Sequence, residues 1–174
     1  WAKNILFNEY LRTQFGDFFH NEDVFPLGVC NGCQTLSLLS SLIPGSHNWP
    51  KFKRNYSEKF ESRLIQVTVR NSPSIFFKDM EGAVIPIPVA HGEGRIEISD
   101  GSINDLYKSN LSSISYADNR GHATELYPNN PNGSPFGIAG LTNQSGTVTV
   151  MMPHPERAFL TDQLSWHPEE WETY

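Results

Sequence analysis

Apolar residues recur at helical spacing at the front of the chain. Trp1, Ile5, Leu6, Tyr10, Leu11, Phe15, Phe18 and Phe19 fall on one broad face and predict a helix over 1–19. A polar break, His20 to Asp23, ends it. The apolar run Val24 to Val29 then reads as a strand in which Pro26 removes one ladder donor. Leu36, Leu38, Leu39 and Leu42 predict a helix from Gly32 to Leu42, stopped by the breaker pair Pro44-Gly45. Residues 45–57 read as loop, with Lys51, Lys53 and Arg54 as a solvated basic patch. Arg63 to Arg70 alternates, with Ile65, Val67 and Val69 on one strand face. Further short strands are predicted at Ile75–Phe77, Val84–Val89, Ile96–Ile98, Ile114–Ala117, Ala123–Leu126, Phe136–Leu141 and Thr147–Met152. Between them lie the tight polar turn His91-Gly92-Glu93-Gly94-Arg95, a short helix over Ile103–Ser109, and an Asn-, Pro- and Gly-rich loop over Tyr127–Pro135. The helix–strand–helix order at the front is that of a parallel sheet, whereas strands dominate the middle. The expected fold is therefore α/β: a mixed, mainly parallel sheet flanked by helices, with an antiparallel strand extension. No repeat, low-complexity tract or linker divides residues 1–174, so one domain is expected.

Composition narrows the function classes. The 174 residues suffice for one real core. A net charge of −6, from 13 Lys and Arg against 19 Asp and Glu, argues against a chain that coats nucleic acid. No apolar stretch approaches the ~20 residues of a membrane span, and no signal-peptide pattern opens the chain. Both cysteines fall in one motif, which suggests a reducing, cytoplasmic setting rather than a disulfide framework. Two cysteines cannot complete a zinc site, and no histidine pair has a suitable spacing, so no metal is expected. The chain opens on Trp1 rather than Met, as a piece of a longer protein would.

The chemistry centres on Leu27-Gly28-Val29-Cys30-Asn31-Gly32-Cys33-Gln34. Strand, sharp turn and helix in succession put Cys30 where the serine of a nucleophile elbow would stand. Gly28 and Gly32, two before and two after, suit a place where strand and helix backbones nearly touch. The first amides of the helix and its dipole favour a thiolate there. Cys30 has three readings: a buried structural thiol, half of a Cys30–Cys33 redox pair, or a nucleophile. A nucleophilic cysteine needs a histidine base oriented by an acid. Among six histidines, His91 and His154 each precede a glutamate by two positions, Glu93 and Glu156. Residues two apart share a face in extended backbone, so either glutamate could reach its histidine. Pro153 and Pro155 stiffen the second pair.

Gly28-Val29-Cys30-Asn31-Gly32-Cys33-Gln34 resembles the G-x-C-x-G-x-Q elbow of triad-type (class I) glutamine amidotransferases, and Met151 to Arg157 resembles their H-P-E segment. The stretches Asn55–Arg63, Val89–Arg95, Tyr127–Pro135 and Trp166-His167-Pro168 resemble the phosphoribosylformylglycinamidine synthases, whose large single-chain form carries a glutaminase domain at its C-terminus. The resemblance implies a purine-biosynthesis glutaminase that needs no cofactor in this domain. It also implies a synthetase part elsewhere in the enzyme that uses ATP and magnesium to place ammonia on formylglycinamide ribonucleotide. By motif position, Cys30 is then the nucleophile, His154 the base and Glu156 its orienting acid. Asn31 supplies an oxyanion amide, Gln34 contacts glutamine, His91 and Gly92 line the pocket, and Cys33 faces away. Family members carry a glycine-rich segment upstream of the position of Trp1, which supplies a second oxyanion amide. Without it the chain is expected to be poorly active, since one such donor is worth ~2.7–4 kcal/mol of barrier. Two other readings stand beside this one: a CxxC thiol oxidoreductase, and a non-catalytic interface domain of a larger synthetase.

Overall fold

The computed structural model describes residues 1–97 and 103–171. The front segment forms two helices, α1 (Ala2–Phe7) and α2 (Glu9–His20), rather than the one expected. Asn8 adopts extended backbone between them, and its side chain accepts the Leu11 amide at 3.0 Å as an N-cap. The strand β1 (Leu27–Val29) and helix α3 (Asn31–Leu38) follow, and a 3-10 turn at Ser40–Leu42 replaces the last expected helical turn.

The predicted loop at 45–57 contains a strand, β2 (Lys51–Arg54), which pairs antiparallel with β5 (Glu93–Glu97) in a two-stranded ribbon. Lys53 meets Glu97 across it at 3.2 Å. Ile98, expected in β5, lies outside the described residues. The main sheet contains β3 (Glu61–Val69), β4 (Val84–His91), β6 (Ser112–Ala117), β7 (Ile138–Thr142) and β8 (Thr149–Met151), and α4 (Ile103–Lys108) precedes β6. Its order is β1-β8-β7-β6-β3-β4. Ile75–Phe77 is a 3-10 turn, not a strand, held by the bond from the Ile75 amide to the Gly146 carbonyl. Of Ala123–Leu126, only Ala123 pairs, as a single bridge to Ala117.

The architecture is α/β with a mixed sheet and an antiparallel extension. Among the described strands the parallel share rests on one pair, β1 with β8, while the other neighbours run antiparallel. Chain connectivity explains part of the balance. Only residues 143–148 join β7 to β8, too few for a parallel crossover.

Alternation along the strands divides two cores, except in β7, where register shifts against β6 accompany Ile138 and Leu141 entering the same cluster. Val29, Ile65, Val67, Val69, Ile87, Val89, Ile114, Tyr116, Ala139 and Met151 meet inside the sheet's curl. The opposite face, with Ile138, Leu141 and Val150, packs on Ile5, Phe19, Cys33 and Leu39 of the helical layer. The curl brings β4, last in sheet order, round to β1 and β8. The Pro88 carbonyl accepts the His154 amide at 2.8 Å, and the Ala90 carbonyl lies 3.9 Å from the Cys30 sulfur.

Candidate active site

The parallel pairing of β1 with β8 matches Val29 to Met151, so Cys30 and His154 both leave the sheet at its carboxyl edge. Open α/β sheets place their ligands at that edge. The Cys30 amide extends the ladder by donating to the Met151 carbonyl at 2.8 Å. Cys30 itself has φ 50° and ψ −106°, the left-handed region that a side chain adopts only where its surroundings enforce it. Its carbonyl accepts the Gln34 amide and starts α3.

Gly28 meets the steric demand expected of the elbow. A Cβ there would stand 2.7 Å from Leu36 Cδ1 and 3.0 Å from the Gly32 carbonyl oxygen. Gly32 does not share that demand, because a Cβ on it would meet nothing within 4 Å. The close approach uses the backbone of residue 32, not its missing side chain.

Cys30 is half-buried, and its thiol titrates above its ordinary value. Burial pushes it up most strongly. The Asn31 amide facing the sulfur and the charge of Arg157 pull it down, and Glu156 adds a smaller upward push. The helix amide therefore acts as expected on the thiolate, but desolvation outweighs it, and the resting group is a thiol that needs a base. Cys33 is fully buried in the helix-side core, where burial pushes its thiol well above the ordinary range. Both cysteines are free thiols, with Cys30 the one that reaches the surface.

His154 is buried, and its Nδ1 lies 2.7 Å from Glu156 Oε1. The expected extended backbone is absent: the 3-10 turn Pro155–Arg157 folds the glutamate back beneath the ring. Burial raises the Glu156 carboxyl, but the bond from His154 and the charges of His154 and Arg157 outweigh it and hold it below its ordinary value. Arg157 Nε stands 3.7 Å from the same oxygen. With Nδ1 engaged, His154 Nε2 is left buried and without a hydrogen-bond partner among the described residues. Such a nitrogen can take a proton from a neighbouring thiol.

His91 differs from the pocket-lining residue expected. Its side chain is buried, and Nε2 lies 2.5 Å from Asn132 Oδ1, so His91-Gly92-Glu93 is not a second imidazole–carboxylate pair. Burial lowers its basicity, the Asn132 bond opposes this, and the charge of His154 adds a downward push. Glu93 contributes its backbone: its carbonyl accepts Gln34 Nε2 at 2.6 Å. Gln34 thus ties the elbow helix to the 91–94 segment in this structure. Asn31 is exposed at the start of α3, and the Gly92 carbonyl accepts the Asn55 amide at 2.9 Å.

Sequence reasoning assigned no role to Asn55 or Asn132. Asn55 is buried and grips the 91–94 segment three times: Nδ2 donates to the His91 carbonyl, Oδ1 accepts the Gly94 amide, and the backbone amide reaches Gly92. Asn132 Nδ2 donates to the Gly94 carbonyl at 2.8 Å and the Tyr116 hydroxyl at 2.7 Å. The only signal in the sequence was an asparagine within each of two polar stretches that carried the resemblance. A groove of about 430 Å³ lined by Phe15, Phe18, Phe19, Leu27 and Leu36 flanks the elbow but includes neither Cys30 nor His154. Among the described residues, no three His, Cys, Asp or Glu side chains are grouped to hold a metal ion, and no helix is long and apolar enough to cross a membrane.

Residues 1–174 match the family described as the CobB/CobQ-like glutamine amidotransferase domain. Among solved structures, PurLQS from Thermotoga maritima is similar, with 26% identity and a TM-score of 0.59 over 88% of this chain and 59% of that one. A protein from Thermoplasma acidophilum named as a component of a GMP synthase aligns at 14% identity and a TM-score of 0.48, over 89% of this chain and 58% of that one. The chain thus spans under two thirds of the length of these relatives.

Proposed function

Because the chain belongs to the CobB/CobQ-like glutamine amidotransferase family, we propose that it hydrolyses glutamine to glutamate and ammonia through a thioester on Cys30. The observation that carries this reading is the shared carboxyl edge. A cysteine on strained backbone and a histidine whose Nδ1 is held 2.7 Å from a carboxylate leave adjacent parallel strands at matched register. His154 Nε2 takes the Cys30 proton, and the thiolate attacks the γ-carboxamide carbon. The Asn31 amide, already facing the sulfur, stabilises the developing oxyanion. Collapse expels ammonia, which carries away the proton held by His154, and leaves a γ-glutamyl thioester. A water then gives its proton to His154 and attacks the thioester, releasing glutamate and restoring the thiol. Glu156 fixes the tautomer that leaves Nε2 toward the sulfur and stabilises the imidazolium. Gln34 and Gly92 form the glutamine side of the pocket, and the buried His91 supports it from beneath.

The ammonia serves phosphoribosylformylglycinamidine synthase in purine biosynthesis, in the cytoplasm. Residues 1–174 are one amidotransferase domain of that enzyme, working with a synthetase part that holds ATP and magnesium. The motif stretches around Asn55, His91 and Asn132 and the likeness to PurLQS support this assignment. The test is intact-mass analysis after treatment with 6-diazo-5-oxo-norleucine, followed by peptide mapping. One adduct on Cys30, blocked by excess glutamine, is expected. No adduct on the intact enzyme would overturn the glutaminase reading in favour of a non-catalytic interface domain.

A further inference from the structure

The His91–Asn132 contact fixes a hydrogen on Nε2 of the ring. Asn132 Nδ2 donates to the Gly94 carbonyl, which can only accept. The amide orientation is thereby fixed, and Oδ1 is the atom facing His91 Nε2. That nitrogen must carry the hydrogen. A neutral His91 then keeps a bare Nδ1, and this atom is buried without a partner among the described residues.

The groups around the ring come from every neighbouring element. Glu61 of β3 is its cross-strand partner, with one carboxylate oxygen paired to Arg63 and the other buried without a partner among the described residues. Tyr116 of β6 reaches it through Asn132. His154, following β8, acts on it electrostatically. Cys30 lies against Ala90, next to it in sequence, and Glu93 is two residues on. The mechanism above requires an imidazolium at His154 while Cys30 is a thiolate. A second imidazolium at His91 would repel it.

We propose that Asn132 is a positioning residue for the thiol–imidazole chemistry: it selects the Nε2–H tautomer of His91, whose burial around a bare Nδ1 keeps the ring neutral, so that His154 is the site's sole imidazolium. An amide suits this role and a carboxylate does not. Asparagine accepts the Nε2 hydrogen without a formal charge, whereas an aspartate there would draw a second proton onto Nδ1. This inference rests on the glutaminase reading for its kinetic consequence and on the hydrogen-bond geometry alone for the tautomer.

The first measurement uses the intact protein with 15N-labelled histidine. Long-range proton–nitrogen correlation spectra read both ring nitrogens of His91 between pH 6 and 9. A single neutral Nε2–H form throughout is expected. An Nδ1–H tautomer, or a cation in that range, would overturn the proposal whether or not any variant folds. The second measurement is Asn132→Asp. His91 should then titrate within the range, and the glutaminase kcat/KM profile should gain a new limb at the His91 pKa read from the same spectra, because the charge facing His154 changes there. A variant that loses rate while keeping the unmodified profile would overturn the proposal, since a purely structural defect scales the curve without adding a limb. Absence of Cys30 labelling by the diazo-ketone in the unmodified enzyme would refute the glutaminase reading separately, leaving the tautomer result to stand or fall on its spectrum.

Discussion

Gly28→Ala tests whether the elbow depends on a close strand–helix approach. The added methyl would stand 2.7 Å from Leu36 Cδ1 and 3.0 Å from the Gly32 carbonyl oxygen. The leucine methyl ends a flexible side chain and can rotate away. The carbonyl belongs to the first turn of α3 and can yield only by moving the helix backbone. Overpacking of this kind costs about 1–3 kcal/mol. Replacing glycine by alanine in the strand recovers about 0.4–1 kcal/mol through the unfolded chain. The net loss is therefore about 1–2 kcal/mol, or a melting temperature lower by roughly 2–8 °C for a domain this size.

The effect on reactivity should be larger in proportion. The carbonyl that must move follows Asn31, whose amide faces the sulfur. A shift of a few tenths of an ångström there is expected to slow Cys30 labelling by about tenfold, given that about 1 Å of misplacement costs roughly a hundredfold. Gly32→Ala is the matched control. It meets nothing within 4 Å and gains helix propensity, so it should melt at the same temperature or higher. Calorimetry and diazo-ketone labelling rates on both variants decide the matter. Equal losses from both, or no loss from Gly28→Ala, would refute the contact argument.

Arg157→Gln should slow alkylation of Cys30 by iodoacetamide at pH 8. The guanidinium helps to hold the thiol pKa down, so its removal moves the pKa up and reduces the thiolate present below it. A rate unchanged at pH 8 would show that Arg157 does not act on the sulfur. Cys33→Ala removes a sulfur from a closed core and should lower stability by about 1 kcal/mol, read by urea unfolding, while Cys30 labelling and glutamine hydrolysis persist. Loss of hydrolysis in Cys33→Ala would return the redox pair to contention. Asn55→Ala strands the buried His91 carbonyl and Gly94 amide, each about 1–3 kcal/mol to leave unpaired. A total of about 2–4 kcal/mol is expected, and a urea midpoint within error of the unmodified protein would contradict the clamp.

What the sequence disclosed divides by contact range. The elbow was legible because strand, turn and helix are local: an apolar run, a glycine-flanked cysteine and a leucine periodicity lie within residues 24–42. The break at Asn8 was hidden because the apolar spacing runs on across it, and the capping bond spans only three residues of an otherwise helical pattern. β2 was missed because Lys51, Lys53 and Arg54 mask an edge strand whose partner lies some forty residues away. Ile75–Phe77 looked like a strand because three apolar residues in a row have no period to read. The polar scaffold was least legible. Asn55 and Asn132 reach His91 across separations of 36 and 41 residues, and nothing local distinguishes a clamping asparagine from a loop asparagine.

The sheet order explains why that scaffold is needed. Cys30 follows β1, at one end of the order, and the carbonyls of Pro88 and Ala90 belong to β4, at the other. Their meeting depends on the curl, which the interior cluster of β-branched residues and Tyr116 fills. A curled sheet fixes its edges less firmly than hydrogen bonds along a ladder fix neighbouring strands, so the last segment of β4 requires bonds of its own. It has them on three sides. The His154 amide holds Pro88, Asn55 holds His91 and, at the start of β5, Gly94, and Gln34 holds Glu93 just beyond the turn out of β4. Two of those ties start from the elbow helix and from His154 itself. The thiol and imidazole are therefore joined to β4 as well as to each other's strands, so a displacement of β4 is transmitted to both. The residues that hold the end of β4 thus belong to the working geometry of the site, even where they touch no substrate.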